Sequence, residues 1–197
     1  MNEQNIVIID YGAGNVKSLS FALGRLGVHP IISDDAETIR KADKVFFPGV
    51  GSAAYAMKAL EDKKLDQLIP KLTQPVLGIC LGMQLLCAYS SEGDTKGLGV
   101  INEKIIPFSN RVKVPQIGWN QIANLKGPLF REVVESSYMY FVHSYFLPDN
   151  LNSIATANYE EKYSAAFSLN NFYGVQFHPE KSSKAGAQIL KNFLNLE

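Results

Sequence analysis

The chain has 197 residues, 46% of them hydrophobic and 19% charged, the composition of an ordinary globular protein long enough to bury one substantial core. Nineteen basic and nineteen acidic residues cancel, so the summed charge offers no footprint for nucleic acid or an anionic membrane. The first residues, Met-Asn-Glu-Gln-Asn, lack the basic start of a signal peptide, and no apolar run reaches the roughly 20 residues of a membrane helix. Two cysteines make no disulfide framework, so a soluble cytoplasmic protein forming one domain over 1–197 is expected.

The first half alternates two patterns. Residues 6–9 are fully apolar, as a strand buried on both faces should be. A loop over 10–14 leads to Asn15 as the N-cap of a helix running to about Leu26, with Gly27 as its stop. Residues 30–33 form a second strand, 36–42 a short helix and 45–47 a third strand ending in Pro48-Gly-Val-Gly51. Ser52 caps a helix to about Leu60, another helical piece follows, and 75–79 is a fourth strand. This β-α-β-α order predicts a parallel sheet covered by helices, with ligands outside the carboxyl ends of its strands, where Asp10, the Pro48 loop and Cys80 all fall. Beyond Ser90 the pattern becomes strand-like over 101–108, 112–117, 138–142, 154–159, 163–169 and 172–177, with Asn170-Asn171 as a hairpin turn. An amphipathic helix over 183–194 closes the chain.

Residues 78–82, Gly-Ile-Cys-Leu-Gly, join a buried strand to a helix that continues through Leu85, Leu86 and Ala88. Small flanking residues let the backbone turn sharply and lift the Cys80 side chain above the sheet edge, the geometry of a nucleophile elbow. At a helix start the positive end of the macrodipole favours the thiolate. Cys87, two helical turns on and set among Leu and Ala, reads as core. The second piece of chemistry is Phe177-His-Pro-Glu180, 98 residues beyond Cys80 at its His178. Residues i and i+2 leaving a strand point the same way and the proline fixes the backbone, so Glu180 can orient the His178 imidazole as base and orienter of a nucleophile triad.

Together, Gly78-Ile-Cys-Leu-Gly-Met-Gln84 and His178-Pro-Glu180 closely resemble the class I, or triad, glutamine amidotransferases, and the resemblance covers essentially the whole chain. Within that family, Asp10-Tyr-Gly-Ala-Gly-Asn15, Pro48-Gly-Val-Gly51, Pro115-Gln-Ile-Gly-Trp-Asn120 and Phe141-Val-His-Ser-Tyr145 are similar to the glutaminase subunits of imidazole glycerol phosphate synthases. The resemblance implies a flavodoxin-like open α/β sheet, with a parallel core, antiparallel strands in the second half and helices on both faces. It implies that Cys80 attacks the glutamine amide, that His178 moves the proton and that Glu180 holds the ring. Leu81 and the Val50–Gly51 loop would then supply the oxyanion hole, and Gln84, His143, Ser144 and Tyr145 the glutamine site. His143 sits in an apolar strand without an acidic neighbour, so its imidazole also fits a purely structural place.

The same resemblance implies a (β/α)8-barrel cyclase as partner, forming a heterodimer and holding the nucleotide substrate. Asn15, Trp119, Asn120 and Lys181 are the interface or gate candidates, although Trp119 also fits core packing and Lys181 a solvated charge. No cofactor and no metal are expected, since three scattered histidines and two cysteines show no ligand spacing. Two other readings use the same residues: the glutaminase subunit of pyridoxal phosphate synthase, and a regulatory module on the same fold without turnover. A cysteine-elbow peptidase or chaperone of related topology would not need Gln84 or His-Pro-Glu.

Overall fold

The computed structural model describes residues 4–196. In chain order the elements are β1 (Ile6–Ile9), α1 (Val16–Gly24), β2 (Ile31–Ser33), α2 (Ala36–Arg40), β3 (Lys44–Gly49), α3 (Ala53–Asp62), α4 (Leu65–Leu68), β4 (Val76–Cys80) and α5 (Leu81–Leu85). The second half adds β5 (Cys87–Ser90), β6 (Thr95–Lys96), β7 (Ile101–Pro107), β8 (Gln116–Gln121), β9 (Tyr138–His143), β10 (Tyr145–Pro148), β11 (Ser153–Asn158), β12 (Lys162–Leu169), β13 (Phe172–Val175) and α6 (Ser183–Leu194).

Among the described residues, eleven strands share one sheet in the order β2-β1-β3-β4-β13-β12-β10-β7-β5-β6, with β11 paired to β12. From β2 to β13 every pairing is parallel, and beyond β13 the pairings are antiparallel except β5 with β7. Strand β13 comes late in the chain yet completes the parallel core, with Val175 opposite Ile79 of β4. Side-chain alternation divides the core between the two faces. Ile6, Ile8, Phe46, Leu77 and Ile79 meet α1 and α6 on one side, while Val7, Ile9, Val45, Phe47 and Val76 meet α2 to α5 on the other. Helix α6 buries Gly186, Ile189, Leu190, Phe193 and Leu194, one stripe at helical spacing, and Phe193 packs edge-on against Phe46 with ring centroids 4.9 Å apart. Strands β8 and β9 form a separate two-stranded ribbon beside the main sheet. No helix among the described residues is long and apolar enough to cross a membrane.

The local differences from expectation have identifiable causes. Helix α5 stops at Leu85 instead of continuing through Ala88, because Leu98 N–H takes the Leu85 carbonyl at 2.8 Å and Val100 N–H takes that of Leu86 at 2.9 Å. Cys87 therefore opens β5 rather than lying on a helix face, although it is buried in the core as expected. The strand expected over 112–117 begins at Gln116, since Pro115 has no N–H to give a ladder. Strand β10 was not anticipated: Ser144 separates it from β9, and the two strands enter different sheets. Asn15 and Ser52 occupy their cap positions but make no side-chain capping bond; at α3 Glu92 takes the role, accepting from Ala53 N–H at 2.8 Å.

Candidate active site

Cys80 is the last residue of β4, and its backbone turns through φ 54°, ψ −111° before α5 begins. A non-glycine residue at positive φ stores strain that the surroundings must hold in place. They do so by close approach of bare backbone. A Cβ on Gly82 would lie 1.9 Å from the Phe47 carbonyl oxygen, and one on Gly78 would lie 2.8 Å from Met83 N. The two glycines thus let α5 start directly against β3 and β4, and the thiol emerges at the carboxyl edge of the parallel core, with Cys80 opposite Gly49.

The parallel pairing of β13 with β4 brings His178 to the same edge. Its N–H donates to the Tyr140 carbonyl at 2.9 Å, and its carbonyl accepts from the Ser182 hydroxyl at 2.7 Å. Ser182 in turn accepts from Tyr140 N–H at 2.9 Å, so the turn over Pro179–Lys181 is held from both ends. Glu180 Oε1 lies 2.9 Å from His178 Nδ1, with both side chains buried. That leaves the other ring nitrogen to the Cys80 sulfur. Burial opposes the imidazolium, but hydrogen bonds and charge attraction from Cys80 and Glu180 outweigh it and push the His178 pKa up to about 10.

A cleft of about 330 Å³ opens over the thiol. Its walls bring together Val50, Gly51, Leu81, Gln84, His143, Ser144, Tyr145 and Lys181 with Cys80 and His178. Asn15 is on the other side of the imidazole, in a small gap it shares with Pro48, Ile79, His178 and Glu180. Trp119 is 53% exposed, which removes core packing as its role, and it meets Tyr140 edge-on at 6.0 Å. Lys181 Nζ lies 5.8 Å from the centre of the same Tyr140 ring. Asn120 faces inward: its amide donates to the Asn158 carbonyl at 2.9 Å and its oxygen accepts from Gln121 N–H at 2.8 Å. A wider groove between Pro128 and Leu196 holds neither thiol nor imidazole.

Residues 7–196 match the class-I glutamine amidotransferase family. The chain belongs to that family. Proteins named imidazole glycerol phosphate synthase subunit HisH are 46% identical in Bacteroides fragilis, 48% in Pectobacterium atrosepticum and 49% in Haemophilus influenzae. The alignments cover 97%, 97% and 96% of this chain and 99%, 99% and 96% of those relatives. Among solved structures, PurLQS from Thermotoga maritima shares the fold, with a TM-score of 0.75 at 17% identity and 98% of each chain covered.

In this amidotransferase the two imidazoles beside the cleft differ in kind. His143 Nδ1 lies 2.9 Å from the Tyr145 carbonyl and Nε2 lies 3.0 Å from Gln116 Oε1, within a cage of Phe108, Phe141 and Tyr163. Burial lowers its pKa to about 4 and keeps it neutral. That arrangement makes His143 a support for the Tyr145 backbone. Gln84 donates both amide hydrogens, to the Tyr145 carbonyl at 2.9 Å and to Gln176 Oε1 at 2.8 Å. The Gln84 group still free to meet a ligand is therefore its oxygen, an acceptor. Glu92, Pro115 and Val142, none of them a site candidate from the sequence, also line the cleft, and Gln176 touches the thiol. Glu92 could have been noticed as an acidic residue after the elbow; the others lie in segments that read as strand. Among the described residues no three His, Cys, Asp or Glu side chains cluster as a metal set.

Proposed function

We propose that this chain, read as one amidotransferase domain over 1–197, is the glutaminase subunit of a cytoplasmic imidazole glycerol phosphate synthase. The observation that carries the reading is the His178 imidazole, set between the Cys80 sulfur and buried Glu180, in a chain with HisH relatives over nearly its full length.

His178, held by Glu180 beside the sulfur, takes the Cys80 proton as general base. The Cys80 thiolate attacks the side-chain amide carbon of glutamine and forms a C–S bond. Negative charge collects on the amide oxygen, facing Leu81 N–H at the start of α5 and the amides of the Val50–Gly51 loop. One such donor is worth about 10²–10³ in rate. His178 gives its proton to the leaving nitrogen, the C–N bond breaks, and ammonia departs from a glutamyl thioester. Neutral His178 then takes a proton from water, whose oxygen attacks the thioester carbon and releases glutamate and the thiolate. Glu180 steadies the ring in both halves of the cycle. The free Gln84 oxygen and the Glu92 carboxylate suit the ammonium end of glutamine. Ser144 and Tyr145 contribute backbone groups, and His143 holds that backbone in place.

Ammonia released into neutral water becomes ammonium, which is not a nucleophile, so the product needs a sheltered path to a second site. We read the partner as a (β/α)8-barrel cyclase that binds the nucleotide and forms a heterodimer with this chain. An exposed apolar face supports such a partner: Ile117, Trp119 and Tyr138 of the β8–β9 ribbon are 61%, 53% and 57% exposed, and Lys181 and Tyr140 lie at its edge. Asn15, beside His178 and Glu180, and Asn120, which ties the ribbon to β11, complete the gate candidates behind that face. Glutamine hydrolysis should be nearly silent in the isolated chain, rise with the cyclase and rise again when the cyclase holds its nucleotide. Equal rates in all three conditions would refute the coupling, and no hydrolysis in any of them would refute the glutaminase reading.

A further inference from the structure

Cys80 Sγ touches two groups besides the imidazole. The thiol donates to the Val142 carbonyl oxygen at 3.6 Å, and the Gln176 amide donates to the sulfur from 3.8 Å. These contacts act in opposite directions. A carbonyl oxygen attracts the neutral thiol and repels the anion, whereas an N–H donor gains when the sulfur becomes charged. Gln176 is completely buried, two residues before His178, and the sulfur is the only partner its NH2 group has among the described residues. Its orientation is not free. Gln84 spends one amide hydrogen on Gln176 Oε1 and the other on the Tyr145 carbonyl. With its oxygen held, Gln176 must turn its NH2 toward the sulfur.

We propose that Gln176, locked by Gln84, is a further residue of the reacting centre, whose amide stabilises the Cys80 thiolate and ties its formation to the Tyr145 end of the cleft. The proposal rests on reading Cys80 as the nucleophile. Leaving Gln176 Nε2 without the sulfur would strand a buried donor, so the contact serves both partners. The titratable groups around Cys80 are His178 after β13, Tyr11 before α1, and His143, Tyr145, Glu92 and Lys181 on the cleft wall, with Glu180 acting through His178. Replacing Gln176 alters none of them, so a changed pH response isolates the amide.

The test is alkylation of the full chain by iodoacetamide across pH, followed on the Cys80 peptide by mass spectrometry. Gln176→Met keeps the size and removes the donor. It should move the midpoint of the alkylation curve upward by about one pH unit, so that labelling in the acid limb slows about tenfold. Gln84→Met frees the Gln176 amide and should move it the same way by less. A Gln176→Met curve superimposed on the unaltered one overturns the proposal, and an unmoved Gln84→Met curve overturns the lock. If Gln176→Met does not fold, nuclear magnetic resonance on the unaltered chain decides: the Gln176 side-chain amide protons should shift through the alkylation midpoint and be pH-silent there in Cys80→Ala. No shift in the unaltered chain overturns the proposal. Glutamine turnover with the cyclase, measured for the unaltered chain and Cys80→Ala, tests the nucleophile reading separately, because alkylation needs no glutamine.

Discussion

His143 and His178 flank one cleft and are almost equally buried, 6% and 5% exposed, yet their protonation is driven in opposite directions. Each ring is tied to a residue two positions later. For His178 that partner is the Glu180 carboxylate, with the sulfur on the ring's other side. For His143 it is the Tyr145 carbonyl, with a neutral amide on the other side. Burial penalises the charged form at both places, and only at His178 do the partners' hydrogen bonds and charge outweigh the penalty. Depth alone therefore does not mark a working histidine. The charge of its two partners does.

The comparison breaks first, and by the largest margin, at His178. His178→Gln removes the proton carrier and leaves Glu180 buried without a cation, and glutamine turnover should fall by about 10⁴-fold. A steady-state glutaminase assay with the activated complex checks this, and a loss smaller than about tenfold would place His178 in the supporting class with His143. Glu180→Gln is the subtler change. Among the described residues Oε2 of Glu180 has no partner, so the new amide can put its NH2 there and keep its oxygen on Nδ1. Ring orientation should survive while the charge is lost, giving a drop of about 10²-fold in turnover with little change in KM. An unchanged rate would show that the sulfur alone holds the imidazolium.

Why His178 could be found in advance and Gln176 could not is a matter of range. The elbow is local: Gly78 and Gly82 sit two residues either side of Cys80, and the steric need for both is met within one turn. His-Pro-Glu is local too. Their meeting across 98 residues follows from β13 pairing in parallel with β4, a long-range contact that no local pattern encodes; only the family resemblance joined the two motifs in advance. The Gln84–Gln176 pair spans 92 residues with no spacing rule behind it, and Gln176 looked like one polar residue at a strand end. Glu92 replaced Ser52 as the cap of α3 for the same reason: a carboxylate from a distant loop took the orphan N–H that a local hydroxyl was expected to take. The end of α5 at Leu85 also depends on far partners, the amides of Leu98 and Val100. Trp119 was ambiguous because it fell just past the strand expected over 112–117; the ribbon runs on to Gln121, and Trp119, opposite Tyr140, is on its open side.

The smallest expected effect on turnover belongs to His143, and it sharpens the comparison through stability. His143 has a pKa lowered to about 4 in the folded chain, against 6.5 for the free side chain. Between those values the unfolded chain binds a proton that the folded chain refuses, so stability rises with pH across the window. The contribution is complete above about pH 6.5 and is lost as pH falls toward 4, for a total of about 3 kcal/mol. His178 has the opposite sign, its raised pKa adding stability that fades only as pH climbs toward 10. Urea unfolding of the unaltered chain in acid and at neutrality should show the His143 slope. His143→Gln should be weaker at pH 7 by about 1–3 kcal/mol through its disturbed contacts with Gln116 and Tyr163, yet should lose much of that acid slope. Its glutamine turnover should stay within about tenfold of the parent, since the ring supports the Tyr145 backbone without taking a proton. A His143→Gln chain that kept the full acid slope would assign the missing proton to another group and remove the contrast with His178.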